Sequence, residues 1–144
     1  MEIIPKMIQT EINPEFELLL KPGILQSKTI LIAEDDETNY YLICEYLEFS
    51  RAEMLWAHDG AEALEMVKQN VDIDLILMDI QMPVMNGFEA LNAIKKISPN
   101  LPIVAITAYA VSGDREKGLK AGFNEYLSKP VSRKILMEHI MRYI

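Results

Sequence analysis

Four short stretches of this sequence end an apolar run on residues that can do chemistry. "ILIAEDD" ends on Glu34, Asp35 and Asp36, and "LILMD" ends on Asp79. "IVAIT" ends on Thr107, and "EYLSKP" carries Lys129 and Pro130. A carboxylate closing a buried run is costly unless it is paired or bound to a metal. Acids brought together repel unless a cation sits between them. A hard divalent ion meets that demand. Magnesium suits best, because it takes one or two carboxylates, keeps waters and accepts phosphate oxygens. A carboxylate nucleophile beside it can form an acyl phosphate. Lys129 would neutralise one phosphoryl oxygen, and Thr107 would donate a hydrogen bond to another. Taken singly, each residue has an ordinary explanation. The acidic run can open a solvated helix, Asp79 can cap the helix after Gly87, Thr107 can be structural, and Lys-Pro can be a surface turn. Their joint occurrence, in order and each at a strand end, favours chemistry.

The elements that must position these residues alternate regularly from Lys28 onward. "TILIA", "EMLWA", "LILM", "IVAIT" and "EYLS" read as five strands. Between and after them lie five helix patterns. "NYYLICEYLEF" places Leu42, Ile43, Tyr46 and Leu47 on one face. "DGAEALEMVKQ" places Ala63, Leu64 and Val67 inward behind Asp59 as N-cap. "GFEALNAIKKI" spaces Phe88, Leu91, Ile94 and Ile97 helically. "SGDREKGLKAG" is a shorter polar helix stopped by Gly122, and "SRKILMEHIMRYI" turns Ile135, Ile140 and Tyr143 inward with Ser132 as cap. Such alternation predicts a parallel sheet with helices on both faces. Ligands of such sheets bind beyond the carboxyl ends of the strands, which is where all four stretches end. Before Lys28 the chain differs. Pro5, Pro14, Pro22 and Gly23 exclude a long helix there, and "FELLL" reads as one short strand. Residues 1–27 are therefore an arm or linker, and residues 28–144 the domain.

Bulk properties narrow the class further. A chain of 144 residues with half of them hydrophobic suits one domain with a genuine core. The net charge of −8 disfavours nucleic acid and anionic lipid, so no direct nucleic-acid binding is expected. The apolar runs fall short of a membrane span, and the N-terminus lacks the apolar stretch of a signal peptide. The single Cys44 fits a reducing compartment, which predicts a cytoplasmic location. Cys44 itself reads as an inert thiol. His58 and His139 have no acid at ligand spacing, and His139 reads as edge of core. Trp56 reads as partial core on an edge strand, and the nine methionines as packing.

The segments "ILIAEDD", "LILMDIQMPVMNG", "VAITA" and "EYLSKP" resemble the signature of the response-regulator receiver domain of two-component signalling. The resemblance covers about residues 28–144. It implies an α/β fold, a doubly wound (βα)5 flavodoxin-like sandwich whose five-stranded parallel sheet runs in the order 2-1-3-4-5. It implies phosphorylation of Asp79 by a histidine kinase or a histidine phosphotransfer protein. It implies that Glu34, Asp35, Asp79 and the backbone carbonyl of Gln81 hold Mg2+, for which Mn2+ can substitute. Thr107 and Lys129 match the family's switch hydroxyl and site lysine, Tyr126 its switch aromatic, and Pro130 its cis-proline. Gln81 and Tyr109 stand where the family tunes dephosphorylation. Glu34 stands where many members carry aspartate.

The domain is then a phosphoacceptor, with self-catalysed phosphoryl transfer and autodephosphorylation as its only chemistry. The phrase "MDIQMPVMNGFEA…VAITAYA" resembles receivers attached to hybrid sensor kinases. That context would make the full-length protein a histidine kinase and the arm a linker remnant. A free-standing single-domain regulator is the alternative. Signal output is expected at the face of the fourth regular helix, the fifth strand and the fifth helix. Arg115, Lys117, Lys120, Arg133 and Lys134 would form a basic patch there for a partner or a second copy. Two rivals fare worse. An aspartate-nucleophile phosphatase wants a second aspartate two residues after Asp79, where Gln81 stands. A nucleotide- or flavin-binding module wants phosphate-cradling glycines after the first strand, where the acids stand.

Overall fold

The continuously apolar runs become the three central strands. They are β1 (Thr29–Ala33), β3 (Leu75–Met78) and β4 (Ile103–Thr107), buried at every residue but Thr29. β2 (Glu53–Ala57) and β5 (Glu125–Ser128) form the edges. All neighbours pair in parallel, in the order β2-β1-β3-β4-β5. The α/β sheet order expected for the receiver fold is thus present. This computed structural model describes residues 14–69, 72–108 and 111–144.

Six helices surround the sheet among the described residues: α1 (Pro14–Leu19), α2 (Glu37–Leu47), α3 (Gly60–Gln69), α4 (Gly87–Ile97), α5 (Asp114–Ala121) and α6 (Arg133–Tyr143). Strand residues alternate between two cores. Leu31, Ala33, Ile76, Met78 and Ala105 face α3, α4 and Phe123, while Ile30, Ile32, Leu77, Val104 and Ile106 face α2 and α6. Caps set the helix starts. Asp36, Asp59, Asn86 and Ser132 each accept a backbone N–H three residues on. α5 ends on Gly122 at φ 122°, a conformation that suits glycine.

Local patterning misjudges some faces. "FELLL" is not a strand: Pro14 opens α1, where its fixed φ and missing N–H suit a first helical turn, and the helix packs on α6. Ile97, Ile135 and Leu42 are 47%, 44% and 39% exposed. Ile97 is the last residue of α4 and projects past its buried stripe. In α6 the inward stripe is Leu136, Met137 and Ile140, which rotates Ile135 aside.

The described residues ahead of β1 are packed against the rest of the fold. Gly23 and Leu25 donate backbone hydrogen bonds to the carbonyls of Phe49 and Ser50 at 2.8 and 2.9 Å. Leu25 is 1% exposed and belongs to the α2–α6 core. Leu25→Ala should therefore cost about 2–5 kcal/mol, read as a lower urea midpoint at unchanged slope. A loss within about 0.5 kcal/mol, the surface range, would show that these residues add nothing to the fold.

Candidate functional site

Hydrogen bonds at the strand ends carry the sheet edge one residue further. The Glu34 N–H donates to the Ala57 carbonyl at 2.9 Å, and the Asp79 N–H to the Ala33 carbonyl at 2.9 Å. The Lys129 N–H donates to the Thr107 carbonyl at 2.8 Å. Residues far apart in sequence thereby reach one edge. Gly87 helps, since a Cβ there would meet the backbone of Asp79 and Ile80, so α4 can start hard against the Asp79 loop.

Glu34 and Asp79 are buried, at 2% and 8% exposure. One ammonium holds them both: Lys129 Nζ lies 3.0 Å from Glu34 Oε2 and 3.1 Å from Asp79 Oδ2. The other Glu34 oxygen accepts from Asn39 Nδ2 at 3.1 Å and from the Asp36 N–H at 3.3 Å. Asp79 Oδ1 accepts from the Gln81 N–H at 3.3 Å. Asp35 is exposed, yet one oxygen each from Glu34, Asp35 and Asp79 lie within 4.8 Å of one another. That donor set fits a hard divalent ion with oxygen ligands. Asp36 takes no part, because it caps α2. The Lys129–Pro130 peptide is cis. Tyr109 lies outside the described residues.

Electrostatics at the edge are uneven. Burial, then the neighbouring Asp79 carboxylate, pushes Glu34 up to about 7 against the opposing hydrogen bonds from Lys129 and Asn39. Burial works against the Lys129 charge, but the Glu34 hydrogen bond and the Asp79 and Glu34 charges outweigh it and raise Lys129 above its ordinary value. Glu34 therefore destabilises the metal-free fold as it ionises. Its unfolded value is 4.5 and its folded value about 7, so between them the folded chain holds the extra proton. Stability must fall as pH rises through that window. In a metal chelator, stability should drop by up to about 3 kcal/mol between about pH 5 and about pH 8. Urea titrations at the two pH values check this, with Glu34→Gln removing most of the drop. An unaltered drop in Glu34→Gln would place its source elsewhere.

Behind Thr107, which is fully buried, lies Tyr126 at 5% exposure. Its ring packs on Gly118. Burial, with the Asp114 charge next, raises the Tyr126 hydroxyl above its ordinary value, and the nearby Thr107 hydroxyl opposes this.

Some residues sit otherwise than their neighbours in sequence suggest. His58 Nδ1 lies 3.2 Å from Glu62 Oε1 one turn later, so an acid does neighbour it. His139 Nδ1 is 3.6 Å from Oε2 of Glu125, an acid brought close only by folding. The expected basic patch is divided. Arg115 Nη2 lies 2.7 Å from the buried Glu125, and Lys120 pairs with Glu116 at 3.3 Å. Lys117 covers the Phe88 ring, and Arg133 covers Tyr46 on the opposite core's side. Asn39 carried no signal in the sequence beyond its place in the first turn of a helix after an acidic run.

Residues 30–141 match the family of the response regulator receiver domain. The chain belongs to that family. This receiver domain is 41% identical over 119 residues to a hybrid signal transduction histidine kinase of Dictyostelium discoideum, covering 77% of the chain but only 7% of that kinase. It is 36% identical over 120 residues to the polar-differentiation response regulator DivK of Brucella ovis, covering 82% of the chain and 97% of that regulator. Among solved structures, it resembles the receiver domain of a sensor histidine kinase from Pseudomonas aeruginosa, which carries a magnesium ion in its active-site cleft. The TM-score is 0.74 at 34% identity, over 81% of this chain and 97% of that one. It also resembles the receiver domain of a Saccharomyces cerevisiae response regulator bound to a histidine phosphotransfer protein, with TM-score 0.72 at 30% identity over 81% and 88%. No described helix of the receiver is long and apolar enough to cross a membrane.

Proposed function

We propose that this receiver domain accepts a phosphoryl group on Asp79 from a phosphohistidine of a histidine kinase or a histidine phosphotransfer protein in the cytoplasm. The observation that carries the reading is the pair of buried carboxylates, Glu34 and Asp79, shared by one lysine at the carboxyl edge of the sheet. In this reading residues 28–144 are the receiver unit and residues 1–27 the arm or linker ahead of it.

Glu34, Asp35, Asp79 and the Gln81 carbonyl would hold Mg2+, or Mn2+ in its place, which supplies charge neutralisation for the transferred phosphoryl group. One Asp79 carboxylate oxygen attacks phosphorus. The bond from phosphorus to the donor's imidazole nitrogen breaks, and that nitrogen keeps the electron pair. Lys129, already within 3.1 Å of Asp79, stays to neutralise a phosphoryl oxygen. Thr107 turns its hydroxyl toward another. Autodephosphorylation reverses the gain, with water attacking phosphorus and Asp79 leaving. Tyr126 then carries the change to α5, β5 and α6, the face offered to a partner or a second copy.

The likeness to the Dictyostelium kinase supports a receiver within a hybrid sensor kinase. The match to nearly the whole Brucella regulator supports a free-standing regulator as the second reading.

The test is incubation with acetyl phosphate, with and without magnesium, followed by peptide mass spectrometry. The expected product is a hydroxylamine-labile phosphate on the peptide holding Asp79, formed only with the ion. A hydroxylamine-stable adduct, or one on another peptide, would overturn the reading. Thr107→Ala should still take up phosphate, more slowly, yet lose the NMR shifts at α5 and β5 that beryllofluoride induces in the unaltered chain. Equal distant shifts in both chains would refute the Thr107–Tyr126 coupling.

A further inference from the structure

Glu34 is the last residue of its strand to be held by the sheet. Beyond it the chain turns away into α2, and a backbone carbonyl there has no ladder partner. Buried carbonyls need one. Here a side chain supplies it: Trp56 Nε1–H donates to the Glu34 carbonyl at 2.8 Å. The Glu34 N–H is already bound to Ala57 of the same strand. Both backbone polar groups of Glu34 are thus gripped by β2.

The indole is itself held. The Tyr40 ring stacks on it with centroids 4.0 Å apart and planes within 4°. His58 stacks on it at 4.2 Å, and Tyr41 meets it edge-on at 5.9 Å. His58 is tied to Glu62 of α3, while Tyr40 follows Asn39, which holds the Glu34 carboxylate. The shelf so formed joins α2, β2 and α3 around one acid. Lys129 and Asn39 hold the Glu34 carboxylate in the cleft beside Asp79, and the fixed backbone sets the point from which the side chain reaches them.

We propose that Trp56 is a positioning residue, whose indole N–H fixes the backbone of Glu34 so that its carboxylate faces Asp79 and Lys129 ready for a divalent ion. This rests on the reading of the acidic cleft as the phosphoacceptor site. Trp56 does not touch the phosphoryl group. It acts through Glu34, and neither its type nor its strand position marks it for that role.

The test is magnesium binding by calorimetry to the full chain and to Trp56→Phe, which keeps the ring stack and loses the N–H donor. Trp56→Phe should bind magnesium roughly 3- to 10-fold more weakly, the worth of one hydrogen bond. Its deficit in phosphate uptake should shrink as magnesium is raised, which general unfolding would not produce. Trp56 is the chain's one tryptophan, so tryptophan emission of the unaltered chain reports on the surroundings of this indole. That emission should change with magnesium at the calorimetric midpoint, a readout that stands even if Trp56→Phe fails to fold. Equal affinity in the two chains, or emission blind to bound magnesium, would overturn the assignment and leave the site intact. No magnesium binding by the unaltered chain would overturn both the site and the assignment.

Discussion

Asp79→Asn is expected to take up no phosphate from acetyl phosphate under conditions that load the unaltered chain. An amide nitrogen and carbonyl cannot replace a carboxylate nucleophile, and among the other described acids Glu34 alone shares both the burial of Asp79 and its contact with Lys129. Glu34 is the nearest rival, but Lys129, Asn39 and the Asp36 N–H already engage its two oxygens. The same substitution should change the response to magnesium. An ion that binds only the folded chain adds roughly 1.4 kcal/mol at ten times its dissociation constant. Removing one of the three carboxylates weakens the site, so thermal melts with and without magnesium should differ less in Asp79→Asn. Asparagine should be tolerated structurally, because Lys129 keeps Glu34 as its counter-ion and two crowded acids become one. Phosphate uptake retained in Asp79→Asn would remove Asp79 as acceptor. An equal magnesium shift in both chains would place the ion elsewhere.

Gly118→Ala is expected to unseat Tyr126. A Cβ at position 118 would overlap the Tyr126 ring at Cδ2 and lie 2.8 Å from Cε2. The ring has little room to yield. Phe123 packs edge-on to it, and its own backbone N–H is held by Glu125 Oε1, which Arg115 grips at 2.7 Å. Overpacking of this kind costs about 1–3 kcal/mol. In a Tyr126→Ala background the space is free, and Gly118→Ala should cost less than about 0.5 kcal/mol. Neighbouring residues that share a space are non-additive in this way, and a double-mutant cycle by urea unfolding measures it. With the ring displaced, the beryllofluoride-induced shifts at β5 should also fall. Equal costs in both backgrounds would show that Gly118 does not make the seat for Tyr126.

Short-range physics sets the features that can be read without the structure. Continuous apolar runs such as "LILM" can bury both faces only inside a flanked parallel sheet, so the central strands were legible. Asp59, Ser132 and Gly122 cap helices through bonds within one turn, and their spacing shows it. Because parallel strands end at one edge, the chemistry at Glu34, Asp79, Thr107 and Lys129 could be read as one group. The order of the strands was not in the periodicity and came from the family resemblance. Tertiary structure alone decided which groups touch. Lys129 reaches Glu34 across 95 residues, Trp56 reaches the Glu34 carbonyl across 22, and His139 comes to face Glu125. It also turned Ile97 and Ile135 outward, made a helix of the segment beginning at Pro14, and drew Leu25 into the core. Hydrophobic periodicity records which face of an element is apolar. The rotation and depth at which that face seats against its neighbours depend on the volumes of side chains from distant segments, and those volumes meet only once the chain has packed.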